Sequence, residues 1–398
     1  MNNEQKWKVI HFSTGHEGGA GLAARRLNAA LNAAGISSTF WALSNLNYRR
    51  NEHEFFILRS NLIRFISGIG GFIQSRLSQK VFFSLWSLNV LSIRRINKMA
   101  NPENTILHFH NWFNLVSQNK ILQLSKQGFK IVLTLHDERF ITGGCHYAYE
   151  CKGFQDKCQK CPELSGILKA FPTWNLRKTL KNVKEVSDSI VFVSPSRWLR
   201  HEALSSSLLS DFPVVFIPNT LGSNYHQVSS PEKTHNPKEI PILKVGVASM
   251  SKKSYIKGGD LTAKVQEKIM LGQLPIEIIF LSDFDDNDQL PSAFWSHIDY
   301  LLVPSRAENS PNVIHEAKSL GIPVIASALG GISELLTPNF DIPITTQQLN
   351  VEGILKILLS IKSQQNQDLK NRMQVQFNEY VGQSVQSHIH LYENLIQN

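Results

Sequence analysis

The chain has 398 residues, of which 42% are hydrophobic and 18% charged, and a formal net charge of +9. That length allows two domains with separate cores, and that composition excludes a chain disordered over long stretches. The excess charge is local: from Phe55 to Pro102 there is no Asp or Glu, while Arg59, Arg64, Arg76, Lys80, Arg94, Arg95 and Lys98 are all basic.

The first element, WKVIHFS, reads as a strand. No signal-peptide pattern precedes it, which predicts a cytoplasmic location. The stretch TGHEGGAG follows, with Gly18, Gly19 and Gly21 opening a helix that continues through LAARRLNAALNAAG. The basic segment 55–100 mixes Phe, Leu, Ile and Trp with cations, and Arg59 and Arg64 leave it too broken to span a bilayer. It fits a helical surface lying on the anionic inner face of a membrane, each basic residue adding about 1 kcal/mol. It equally fits core-packed helices with solvated basic side chains. No nucleic-acid motif accompanies it, so nucleic acid is not an expected partner.

Four further strands end in polar residues: TILHFH in NWFN, KIVLTLH in DERF, SIVFVS in PSRW and VVFIP in NTLG. Strands alternating with helices predict an α/β fold with doubly wound parallel sheets, whose ligands sit beyond the carboxyl ends of the strands. His108, His110 and Asn111 end one such strand and become candidates for an acceptor-side cleft. His136 and Asp137 end the next, although a single strand-end histidine is often only a structural hydrogen-bonding group.

All four cysteines fall in the loop 142–163, at Cys145, Cys151, Cys158 and Cys161. A cytoplasmic protein that places its whole cysteine supply in one loop, ending in Cys-x-x-Cys, is better suited to a structural zinc than to disulfides. His146 and Asp156 could replace one ligand, and reduced free thiols are the alternative.

Residues 1–220 form the predicted first domain, and the Ser-, Asn- and Pro-rich stretch 221–241 reads as a linker. A second α/β domain, 242–382, restarts with ILKVGVAS and a basic loop carrying Lys253 and Lys257 before Gly258-Gly259. Residues 383–398 are expected to form a helix that can cross back to the first domain. The acidic run SDFDDND, with Asp283, Asp285, Asp286 and Asp288, reads as a solvated loop.

The stretch SRAENSPNVIHEAKSLGIPVIASALGG predicts a strand–loop–helix–strand unit, with Ser310 as cap, Pro311 first in the helix and Gly321 ending it. The helix start gathers free amide donors and is a ready phosphate site. Glu316 lies about five residues in, roughly 7 Å of rise from that end, a fair distance for a ribose. Glu308 stays in the loop. An arbitrary pair of glutamates would usually be solvated, so the surroundings must decide.

VPSRAENSPNVIHEAKSLGIPVIASALGGISELL resembles the donor-binding signature of retaining glycosyltransferases of the GT-B fold, family 4. TLHDERFITGGCHYAYECKGFQDKCQKCPEL is similar to a segment of members that build bacterial exopolysaccharide, capsule or O-antigen, including the colanic-acid type. The resemblance implies two Rossmann-like domains facing across a cleft, a UDP- or GDP-sugar donor, a lipid-linked saccharide acceptor, and a peripheral position at the inner membrane surface. It assigns Glu316 to the ribose and Glu308 to the transferred sugar. It gives the sugar and diphosphate to the amides around Asn309, Ser310, Asn312 and Val313, and the diphosphate charge to Lys257. Relatives carry an arginine upstream of that lysine where this chain offers Lys252 and Lys253. The resemblance places His136 beside the reacting sugar, so that His136, Glu308 and Lys257 form the catalytic set, and brings Gly18 and Gly19 to the donor phosphates or the acceptor. It implies retention of configuration, the leaving diphosphate accepting the acceptor proton, and no catalytic metal. One departure stands out: the segment 283–298 is shorter than in relatives, where the missing pieces surround the nucleobase. Alternatives are an epimerase of the same fold and a catalytically silent, zinc-bearing scaffold.

Overall fold

The computed structural model describes residues 7–44, 48–58, 90–164, 166–185, 189–221, 242–248, 254–283, 292–361 and 367–397. The linker stretch 222–241, Lys252, Lys253 and most of the basic segment and acidic run therefore lie outside the described residues. The chain divides into two units, Met1–Thr220 with Gln383–Asn398, and Leu221–Gly382.

The first unit holds β1 (Lys8–Ser13), β2 (Ser38–Ser44), β3 (Tyr48–Asn51), β4 (Glu54–Leu58), β5 (Thr105–Asn111), β6 (Lys130–Thr134), β7 (Ile190–Ser194) and β8 (Val214–Phe216). They form one sheet in the order β3-β4-β2-β1-β5-β6-β7-β8, parallel except for β3, which pairs antiparallel with β4 at the edge. The order reverses direction at β1 and β5, which makes their carboxyl ends the switch point where an open α/β sheet leaves a crevice.

Alternation of side chains sorts these strands into two faces. Ile10, Phe12, Leu107, Phe109, Ile131 and Leu133 enter the larger core. Val9, Ile106, Val132 and Val193 point the other way, against Leu27 and Leu31 of the helix Gly18–Ala33 and Tyr392 of the last helix. On this second face, period two carries Val9 to His11 and Ser13, Ile106 to His108 and His110, and Val132 to Thr134 and His136. The face is apolar at one end and becomes a row of imidazoles and hydroxyls towards the carboxyl ends.

The second unit has five parallel strands, β9 (Leu243–Val247), β10 (Ile276–Phe280), β11 (Tyr300–Val303), β12 (Val324–Ser327) and β13 (Ile342–Ile344), ordered β10-β9-β11-β12-β13. Here the switch point falls between β9 and β11. Gly246 in β9 lies against Phe294 and Ile298, where a Cβ would come within 2.9 Å of both side chains. The last helix, Gln367–Gln397, begins in the second unit, where Phe377 and Val381 enter the core, and ends in the first, where Tyr392 is fully buried. It is thus longer than the helix expected over 383–398.

A buried ion pair ties the end of the second unit's sheet together. Lys318 Nζ donates to Asp341 Oδ2 at 2.7 Å, and the same carboxylate accepts from the amides of Thr337 (2.7 Å) and Val324 (2.9 Å). Burial pulls the Lys318 ammonium below its usual range, opposed by Asp341. Removing one partner of such a pair strands a buried charge, so Asp341→Ala is expected to cost about 3–5 kcal/mol. Denaturant unfolding measures this, and a loss below about 1 kcal/mol would mean that the pair is not the tie described.

Candidate functional site

The second unit's switch point brings together the two loops that leave β9 and β11. Gly258, with φ of +69°, sits against the Pro304 carbonyl so closely that a Cβ would collide with it. Only glycine meets both conditions. Arg306 fastens the loops from the other side: its guanidinium pairs bidentately with Asp260 at 2.7 and 2.9 Å, and lies 3.9 Å from the centre of the Tyr255 ring. The hydrogen bonds from Arg306 lead in holding the Asp260 carboxyl below its usual range. The Arg306 amide also donates to the Ile256 carbonyl at 2.8 Å.

This fastening sets Lys257 against Glu308, whose ammonium and carboxylate form an ion pair. Glu308 is buried, and its carbonyl accepts from the Gly331 amide at 3.1 Å, so the glycine pair after β12 packs behind the same loop. The helix runs from Asn312 to Ser319 with Pro311 at its cap, one residue later than the sequence suggests. The expected Ser310 cap is not made, because the Ser310 hydroxyl pairs with the His315 ring at 2.7 Å. Gly321, at φ +68°, follows the helix end as expected. Asn309, Asn312 and Glu316 are buried polar groups around the helix start, while Ser310 and Val313 are partly buried. A solvated pair of glutamates is therefore not what the fold makes of Glu308 and Glu316. Lys253 lies outside the described residues, and Arg306, the cation that the sequence reading passed over, is committed to Asp260.

The first unit's switch point carries a chain of imidazoles. His11 Nδ1 lies 3.0 Å from His110 Nε2, and His110 Nδ1 lies 3.2 Å from His136 Nε2. His108 reaches the Tyr392 hydroxyl through Nδ1 and the Thr134 hydroxyl through Nε2, both at 2.7 Å. His388, beneath them, bonds the Ser384 carbonyl at 2.9 Å. Burial lowers every one of these rings, His11 to about 3, His136 and His388 to about 4, and His108 and His110 well below 6.5. At neutral pH the chain is therefore uncharged. His11, His108 and His110 offer ligand atoms within 4.8 Å of one another; His11 Nε2 has no partner among the described residues, but both ring nitrogens of His108 and of His110 are hydrogen-bonded and would have to give up a bond to admit a metal.

His136 is partly buried at the outer end of this chain. Beside it, burial raises the Asp137 carboxyl, but the His146 ring at 2.6 Å and the Arg139 amide outweigh it and the net shift is downward. Glu138 is pushed up to about 7 by burial. Asn111 turns inward: its carbonyl accepts from the Thr14 hydroxyl at 2.9 Å, and its side chain accepts from the Phe113 amide at 3.3 Å. Thr14 thus fastens the glycine turn to β5. In that turn the tight glycine is Gly21, whose added Cβ would strike the Gly15 carbonyl, whereas Gly18 and Gly19 face open space. Gly18 has φ of +75° and Gly19 does not. Sequence reasoning missed His11, His388 and Tyr392. The period-two pattern VxH in β1 is a signal for the first, but nothing local marks the other two.

Residues 238–359 match a family described as glycosyl transferases group 1. Over 342 residues the chain is 24% identical to the putative colanic acid biosynthesis glycosyl transferase WcaC of Escherichia coli K12, covering 76% of this chain and 79% of that protein. Among solved structures, a sucrose-phosphate synthase of Thermosynechococcus elongatus superposes with a TM-score of 0.57 at 15% identity, over 98% of this chain and 99% of that one. HepE of Anabaena, solved with UDP-glucose, gives 0.54 at 13%, over 97% and 99%. The protein is an α/β enzyme of the GT-B class, a glycosyltransferase. Its second unit carries the group 1 glycosyl transferase domain.

The buried imidazoles have pKa values below the 6.5 of an unfolded chain, so the stability they contribute is complete above about pH 6.5 and is lost as pH falls towards 4 and 3. Glu138 has the opposite sign: its contribution is present below 4.5 and lost as pH rises through about 7. With the histidines in the majority, the melting temperature is expected to fall between about pH 7 and pH 5, less steeply in His388→Gln. A flat or rising curve over that interval would show that the rings are not held neutral.

Proposed function

We propose that the protein transfers a sugar, with retention of anomeric configuration, from a nucleoside-diphosphate donor to a lipid-linked saccharide in the assembly of a cell-surface polysaccharide. The observation that carries this reading is the Lys257–Glu308 pair, fastened at a switch point beside the start of a helix. In the donor complex the diphosphate takes the helix amides and the Lys257 ammonium, which stabilise the charge that grows as the glycosidic bond breaks. Glu308, released from Lys257, accepts from the hydroxyls of the transferred sugar, and Glu316 from those of the ribose. The departing diphosphate accepts the acceptor's proton, a step for which we expect no divalent ion. His136, neutral at working pH, acts as a hydrogen-bonding partner to the sugar and not as a charged acid. UDP or GDP is the expected nucleotide; the likeness to a structure solved with UDP-glucose supports the former.

The colanic-acid relative supports the polysaccharide context. A lipid-linked acceptor calls for a site at the inner membrane surface. No helix among the described residues is long and apolar enough to cross a membrane. The helix Phe171–Lys184 supports a peripheral contact. Its outer face carries Trp174, 57% exposed, with Arg177, Lys178 and Lys181, beside Lys160 and Lys169 in an open groove of about 880 Å³. Exposed Trp amid basic residues suits an anionic headgroup layer.

Thermal stabilisation by UDP, GDP and their sugars tests the donor, since a ligand at a hundred times its Kd adds about 2.7 kcal/mol. Glu316→Ala is expected to weaken nucleotide binding about tenfold, roughly 1.4 kcal/mol. Glu308→Ala should mainly slow transfer, and Lys257→Ala should lower kcat by about 10² to 10³. Equal losses of binding and turnover in both glutamate variants would refute the division of roles, and no stabilisation by any nucleotide would refute the reading.

A further inference from the structure

The loop between β6 and the helix Phe171–Lys184 is anchored at its middle, where Ala148 and Phe154 enter the larger core and Lys152 pairs with Glu202 at 2.8 Å. Among the described residues its regular structure is two short 3-10 turns, Gly153–Asp156 and Gly166–Ala170. Among the described residues, the small cluster around its C-terminal half is Cys161 and Leu164, with Cys145, Leu168 and Phe171 against them. Yet its backbone is held in costly conformations: Tyr149, Lys157, Cys158 and Lys160 all have φ of 52°, a left-handed region that none of these residue types favours.

All four thiols are free, and together they line a single cavity of about 30 Å³ with Thr142, Gly143 and Gly153. Two of them already accept amide hydrogens, Cys158 Sγ from Gly143 at 3.2 Å and Cys151 Sγ from Gly153 at 3.4 Å. Such bonds favour a thiolate over a thiol. The carbonyls of the loop are also taken: Cys145 accepts from the Thr142 hydroxyl at 2.6 Å, and Cys158 from the Thr173 hydroxyl at 2.9 Å. Four thiols around one cavity supply the all-sulfur, four-ligand set that zinc takes, although no three of the sulfurs yet lie within 4.8 Å of one another.

We propose that Cys145, Cys151, Cys158 and Cys161 bind one zinc ion as a closed, four-thiolate structural site that fixes this loop. Binding closes the ring of sulfurs on the ion. The four thiols give up four protons to solvent, no electron moves, and the resulting site carries a net charge of −2 that the amide donors stabilise. No coordination position remains for water, so the ion has no chemical step to perform. Its effect is positional: the Asp137–His146 contact at 2.6 Å and the Glu138–Ala148 contact at 2.8 Å join the loop to the strand end that presents His136.

The test is metal analysis of the full-length protein purified under reducing conditions without chelator. About one zinc per chain is expected, and substitution by cobalt should give the visible bands and sulfur-to-metal charge transfer of a tetrahedral thiolate site. The native protein should resist thiol-directed reagents until zinc is removed, with zinc and thiols then appearing in a ratio of about one to four. Cys158→Ser with Cys161→Ser should abolish binding; because this variant can fail to fold, the wild-type measurements decide. Substoichiometric metal, four freely reacting thiols, an intact mass showing two disulfides, or a cobalt spectrum lacking sulfur charge transfer, as imidazole ligation by His11, His108 and His110 would give, would each overturn the site.

Discussion

The ion pair between Lys257 and Glu308 depends on a contact of a different kind, the approach of Gly258 to the Pro304 carbonyl. Backbone touches backbone there, in a conformation only glycine tolerates, and Arg306 then spans the two loops to Asp260. The cation and carboxylate meet because the chain beneath them has no freedom to separate. A charge pair on two independent surface loops would contribute little. Here the loops are fixed first, so the pair is preorganised and can be exchanged for a ligand's phosphate and hydroxyls without rebuilding the site.

The first unit reaches the same end by burial. Four imidazoles on one face of the sheet, with His388 of the last helix against them, are kept neutral by desolvation and bonded mainly to one another and to hydroxyls. An uncharged polar row inside a sheet costs little when its members are hydrogen-bonded, and it leaves His136 at the outer end with its ring orientation fixed from behind. Its neutrality is a property of the fold and not of the residue.

Much of this is legible in the amino-acid order because the relevant distances along the chain are short. Strands that end in polar residues mark the α/β class, and the spacing from Glu308 to Glu316 spans one loop and one helical turn. The helix start moves by a residue because Ser310 has a nearby competitor, His315, whose ring claims the hydroxyl. Other features are hidden by distance. Tyr392 bonds to His108 across 284 positions, and no local pattern announces it. Gly21 rather than Gly18 or Gly19 is the tight position in the glycine turn, because it alone of the three faces the Gly15 carbonyl, which the order of residues does not reveal. Arg306 looks like one more loop cation until the fold sets it against Asp260 and the Tyr255 ring.

The last helix has a temporal consequence. Tyr392 and His388 complete the core face of a unit whose other strands are all made within the first 220 residues. During synthesis that face waits, with His108 lacking its phenol partner and Leu27, Leu31 and Val132 uncovered, until the ribosome has finished the whole second unit. The amino-terminal half is thus begun first and closed last, and part of its apolar face stays uncovered for as long as the carboxyl-terminal half takes to emerge.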